Sequence, residues 1–127
     1  MISSNNFGSK NNKIEKIFVS NKEVTIATSV KVANTFFRRL KGLMGTASLS
    51  RGSALLISPC KQVHTFFMRY SLDIVFLDES HYIVHLVNSL PPFRISPYIK
   101  KSKKVLELPA RTIEEYELKV GDKIDML

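Results

Sequence analysis

The run Leu72-Asp73-Ile74-Val75-Phe76-Leu77 constrains this chain more than any other segment. Side chains alternate across a strand, so Leu72, Ile74 and Phe76 point one way and Asp73, Val75 and Leu77 the other. Both faces are apolar apart from Asp73. Such a strand has to lie inside the molecule, covered on both sides. It carries one carboxylate into the interior with it, and burying that group bare would be very costly. Asp73 therefore needs an arginine, needs several backbone donors, or has to stay protonated. Arg69 and Arg39 are partners of the right type, because a guanidinium fork matches a carboxylate. Two outcomes are open: a structural ion pair that fixes strand register, or a polar site built from Asp73, an arginine and His64. Buried charges are more often structural, which ranks the ion pair first.

The rest of the pattern is also mainly strand-like. Ile14–Val19 and Val24–Val32 are β-rich runs split by the polar turn Ser20-Asn21. Ala54–Ile57 is a short strand stopped by Ser58-Pro59. Val63–Arg69 reads as a strand that turns at Tyr70-Ser71 into Leu72–Leu77, with Tyr82–Val87 following after Asp78-Glu79-Ser80. Leu90–Pro97 holds three prolines and has to be an irregular loop. Val105–Leu108 is a strand ending at Pro109, and Lys123–Met126 is the last one. Two helices are expected. Asn34 caps one through Phe36, Phe37, Leu40, Leu43 and Met44, closed by Gly45. Thr112-x-x-Glu115 is a capping-box signature opening the other, to about Lys119. These elements predict a mainly β (α+β) fold: a compact, mostly antiparallel, barrel-like sheet with two short helices.

Composition narrows the class. At 127 residues, Met1–Lys13 reads as a flexible polar tail and 14–127 as one domain. One Cys cannot make an intrachain disulfide. No apolar run approaches the roughly 18 residues of a membrane span, and the first residues lack the apolar core of a signal peptide, so the expected location is the cytoplasm. The net charge of +8 is unevenly spread. Met1–Leu72 has eleven Lys/Arg against Glu15 and Glu23, whereas Asp73–Leu127 has eight against nine acids. The basic excess belongs to the first half.

No constellation specifies a reaction. Cys60-x-x-x-His64 and His81-x-x-x-His85 carry metal-binding residue types. In an extended chain residues four apart lie roughly 13 Å from each other. One ion with bonds of about 2 to 2.3 Å cannot join them. No metal and no cofactor is expected, and no nucleophile elbow, phosphate loop or dinucleotide fingerprint is present. Arg38, Arg39 and Lys41 fall on the first expected helix and make a basic patch with Lys31 and Arg51. The bland alternative is a solvated polar face. Phe36, Phe37, Phe93 and Tyr98 sit in apolar company and read as core. They lack the exposed spacing of single-strand binders, so nucleic acid is the less favoured partner.

Three segments together resemble one known family. They are Arg39-x-x-Gly42-Leu43-Met44, then His64-Thr65-Phe66-x-Met68-Arg69-x-x-Leu72-Asp73-Ile74-x-Phe76-Leu77-Asp78, and last Leu106-Glu107-Leu108-Pro109-Ala110 followed by Gly121-Asp122. The pattern, from about Val24 to Met126, resembles the bacterial and archaeal domain of unknown function 192, or uncharacterised protein family 0127. Phe67, Phe93 and Arg111 depart from it: relatives more often have Gly or Trp, Trp, and Gly at these places. The resemblance implies a small β-rich fold with short helices and no established activity. Some relatives are encoded near type IV-like pilus or secretion components, which implies an accessory role.

The leading expectation is thus a non-enzymatic binding or accessory protein. Arg38, Arg39, Lys41, Phe93 and Arg94 would contact an acidic protein or anionic ligand. The alternative is a small-ligand protein or enzyme with Arg39, His64, Arg69 and Asp73 at its site. A nucleic-acid binder using the basic first half comes third.

Overall fold

The computed structural model describes residues 13–33, 49–66 and 68–127. The expected first helix, with Arg38, Arg39 and Lys41, and nearly all of the expected tail lie outside the described residues. The strands in chain order are β1 (Ile17–Val19), β2 (Val24–Ala27), β3 (Ser29–Ala33), β4 (Ser53–Ile57), β5 (Leu72–Leu77), β6 (Ile83–Leu90), β7 (Lys104–Pro109) and β8 (Ile124–Met126). Helix α1 (Thr112–Tyr116) lies between β7 and β8.

The fold is mainly β, as expected, but its strands form two sheets and not one closed barrel. Three strands run in the order β2-β1-β8 and five in the order β3-β4-β7-β5-β6. Among the described residues only β3 and β4 pair in parallel; the other strand pairs are antiparallel. The expected run Val24–Val32 breaks at Thr28. The amides of Thr28 and Ser29 both donate to the Gly52 carbonyl, at 2.8 and 3.1 Å. That junction hands the chain from the small sheet to the large one.

β5 and β7 are central strands buried on both faces, which is why Leu72–Leu77 is apolar on both. One core lies between the sheets and gathers Ile17, Val19, Val75, Leu77, Leu106, Leu108 and Ile124 with Ile113 of α1. The other covers the opposite face of the large sheet with Leu55, Ile57, Leu72, Ile74, Phe76 and Val105, and includes Val63 and Met68.

The expected strand Val63–Arg69 does not form. Among the described residues it makes one antiparallel bridge, His64 to Ile95, and no continuous strand ladder. The facing segment contains Pro91, Pro92 and Pro97, which have no N–H to donate to a ladder. After Thr65 the chain turns, with the Met68 amide on the Thr65 carbonyl at 3.1 Å.

The capping box also fails to form. Arg111 is the N-cap of α1, in the left-handed region at φ 77°, with no side-chain cap. The Thr112 hydroxyl instead donates back to the Pro109 carbonyl at 2.6 Å, and Glu115 pairs with Arg51. The helix ends early, at Glu117, which is also left-handed (φ 52°).

Candidate functional site

Asp73 is fully buried and faces the core between the sheets. Its Oδ1 accepts the Ser89 amide at 2.8 Å and its Oδ2 accepts the Ile113 amide at 2.8 Å. Of the expected ways to satisfy this charge, backbone donors are the one observed. Ser89 stands near the end of β6 with a left-handed backbone (φ 49°), and Ile113 is in the first turn of α1. The carboxylate thus joins three elements and answers an orphan helix donor. Arg69 is exposed, and no ion pair of Asp73 exists among the described residues.

The interior holds a second carboxyl, one of the nine acids of the second half. Glu107 is fully buried in β7. It is flanked by Leu55 of β4 and Ile74 of β5, on the opposite face of the sheet from Asp73. The signal was available: Leu106-Glu107-Leu108 is an apolar strand interrupted by one acid.

His64 is half-buried and stands apart from this interior chemistry. It belongs to a ribbon in which 61–66 runs antiparallel to 93–99. The Thr65 amide donates to the Arg94 carbonyl (2.8 Å), Phe93 to Thr65 (3.0 Å), Ser96 to Val63 (2.9 Å) and Ile99 to Lys61 (2.8 Å). Thr65 is fully buried. Its hydroxyl donates to the Pro91 carbonyl and accepts the Arg94 amide at 2.9 Å. Lys61 Nζ donates to the carbonyls of Lys100 and Ser102, both at 2.7 Å.

This bracing displays apolar side chains to water. Phe93 is 65% exposed, Tyr98 63%, Ile95 59% and Phe66 37%. The expectation that Phe93 and Tyr98 are core is therefore overturned, while Phe93 and Arg94 stand exposed on one loop as contact candidates must. Phe66, Ile95 and Tyr98 join Phe93 at the surface, where apolar type alone suggests burial.

Two clefts open beside the start of α1. One, about 410 Å³, lies between Leu49–Arg51, Tyr70–Ser71 and Pro109–Ala110. The other, about 360 Å³, is lined by Arg51, Arg111, Glu114 and Glu115. Arg51 stands on both and donates to the Ala110 carbonyl at 3.3 Å. Neither cleft is lined by His64, Arg69 or Asp73. Among the described residues no three of His, Cys, Asp and Glu gather to hold a metal ion. No helix among them is long and apolar enough to cross a membrane.

The central and last sequence motifs meet in the large sheet. β5 and β7 pair with Asp73 opposite Leu108 and Leu72 opposite Pro109. A protein of unknown function from Novosphingobium aromaticivorans has a similar fold, with TM-score 0.75, 19% identity, and 88% of this chain and 84% of that one covered. A Sinorhizobium meliloti protein, provisionally described as a transcription regulator, has TM-score 0.72 at 19% identity, with 87% and 90% covered. A UPF0127 protein of Thermococcus sibiricus is 36% identical over 103 residues, which are 76% of this chain but 64% of the relative. A UPF0127 protein of Pyrococcus abyssi is 32% identical over 117 residues, covering 87% of this chain and 97% of that one. Residues 17–126 match the profile of DUF192, described as an uncharacterised group. The chain belongs to the DUF192 family, whose curated archaeal relatives carry the name UPF0127.

Proposed function

We propose that this protein is a non-enzymatic binding module that engages an anionic partner through the ribbon of 61–66 and 93–99. The observation that carries the reading is the exposure of Phe93, Ile95 and Phe66 on a segment held by a dense set of hydrogen bonds. Large exposed apolar groups that are fixed in place mark interaction surfaces. Charge supports the sign of the partner. Segments 61–70 and 91–103 contain Lys61, Arg69, Arg94, Lys100, Lys101 and Lys103 and no Asp or Glu. The reading includes a cytoplasmic, accessory role beside pilus or secretion components, for which the resemblance is the motive. Arg38, Arg39 and Lys41, outside the described residues, remain partner-contact candidates in this proposal.

The test is comparative capture. Immobilised wild-type chain and an Arg94→Glu/Lys100→Glu/Lys101→Glu variant are exposed to the same cell extract. The wild type should retain an anionic component that the variant releases. Equal recovery by both would overturn the reading.

A second reading, a small-ligand protein or enzyme, has one observation in its favour: the 410 Å³ cleft is of ligand size. Against a site centred on Asp73 stands the use of both its oxygens by backbone amides. Arg39, His64 and Arg69 remain candidates there. Nucleic acid, suggested by the description of the Sinorhizobium meliloti neighbour, is a third partner for the same basic surface.

A further inference from the structure

The outward face of the ribbon has a defined membership. The bridge pairs His64 with Ile95, so these two side chains share a face. Phe66 and Phe93, at the irregular end of the ribbon, are exposed as well, while Val63, Thr65 and Ser96 are buried. The His64 and Phe66 rings lie 5.0 Å apart. Phe93 holds a left-handed backbone (φ 62°), which is unfavourable for a bulky residue. The Thr65 carbonyl and hydroxyl, bound to the amides of Phe93 and Arg94, hold it there. The consequence of that conformation is a phenyl ring left in water.

Cations stand at both ends of the apolar cluster. Arg94 is within the ribbon. Arg69 follows the turn at Thr65–Met68, and Lys61 pins the exposed Lys100 and Lys101 at the far end through the Lys100 and Ser102 carbonyls. No Asp or Glu occurs anywhere in 24–72 or in 80–106. Phe93 and Ile95 are more than half exposed, so the tip of the cluster projects into water.

We infer that the anionic partner is a lipid surface: Phe93, Ile95 and Phe66 enter the interface of an anionic bilayer while Arg94, Arg69, Lys100 and Lys101 meet its headgroups. The inference rests on the ribbon being the binding surface. A protein partner needs a complementary shape. A bilayer asks only for a projecting apolar tip ringed by cations, with long Lys and Arg stems reaching sideways to phosphate.

The full chain is sedimented with phosphatidylcholine vesicles, with and without about one third phosphatidylglycerol. Binding should require the anionic lipid and weaken as salt rises. Phe93→Ser/Ile95→Ser, both at exposed positions, should lower the vesicle affinity by roughly tenfold or more. Circular dichroism and thermal melting confirm that the variant is folded. Binding that ignores the lipid charge, or that survives the double substitution, overturns the inference. No vesicle binding, with an acidic peptide or single-stranded nucleic acid still bound at this surface, overturns the lipid and leaves the ribbon reading standing. Failure of all three probes removes both.

Discussion

The Asp73 carboxylate accepts the Ile113 amide across 2.8 Å, so a charge in the centre of the large sheet holds the first turn of α1. Its other oxygen holds Ser89, where β6 ends in a left-handed backbone. Both donors are backbone groups, which only proline at their own positions would delete. Asp73→Ala strands the Ile113 amide in the interior and leaves that of the exposed Ser89 half-covered. Each buried, unmet amide costs about 1–3 kcal/mol. The expected loss is about 3 kcal/mol in urea or thermal unfolding. Asp73→Asn keeps one acceptor and should cost less. A near-neutral Asp73→Ala would show that neither bond contributes to stability.

Thr65 does for the ribbon what Asp73 does for α1. Its hydroxyl serves Pro91 and Arg94 from a fully buried position. Thr65→Val keeps the shape and deletes both bonds. The expected cost is about 1–2 kcal/mol. The informative readout is hydrogen exchange. The Arg94 and Phe93 amides should lose protection more than those of β5, because the opening is local. Uniform loss across the sheet would mean that the ribbon opens only with the whole fold.

How far these features were legible depends on where the deciding group sits. Leu72–Leu77 was readable as an enclosed strand because period two and apolar type agree there. The need of Asp73 for partners followed from charge and burial. The partners themselves did not, because the Ser89 and Ile113 amides lie 16 and 40 residues away and every residue but proline has such an N–H. The failed strand after Val63 shows the converse. Its own residues favour a strand, but its neighbour is proline-rich, and a ladder needs two. Phe93 read as core for a similar reason: a left-handed backbone turns its ring outward, and no residue type announces that.

Arg111 shows local strain that substitution can relieve. The N-cap of α1 has φ 77° with an arginine in place. Arg111 stands where the resemblance implies Gly, and here an arginine takes the glycine conformation. Glycine accepts that region freely, whereas other residues pay about 1 kcal/mol or more. Its added freedom in the unfolded chain offsets part of the gain. The exposed pair Arg111–Glu114, at 3.5 Å, contributes little. Arg111→Gly should therefore raise stability by about 0.5–1 kcal/mol. A measured decrease would mean that the arginine side chain holds the turn through contacts stronger than this exposed pair.

His81 gives the fold a pH dependence with a definite sign. Its Nε2 lies 2.9 Å from Lys104 Nζ. Burial lowers its pKa below the ordinary 6.5, and the charges of Lys104 and Lys123 lower it further, against smaller opposing effects of Asp78 and Asp125. Above 6.5 the imidazole is neutral in both the folded and the unfolded chain, and contributes nothing to the slope. Below 6.5 the unfolded chain takes up a proton that the folded chain resists. The unfolded state then binds more protons, so stability falls as pH falls, until the folded pKa is passed. Urea midpoints measured from pH 7.5 to 5 should decline over this window. His81→Asn removes the titrating ring and suits the left-handed backbone at this position (φ 70°). The decline should flatten in that variant. An unchanged slope would show that His81 is not its source.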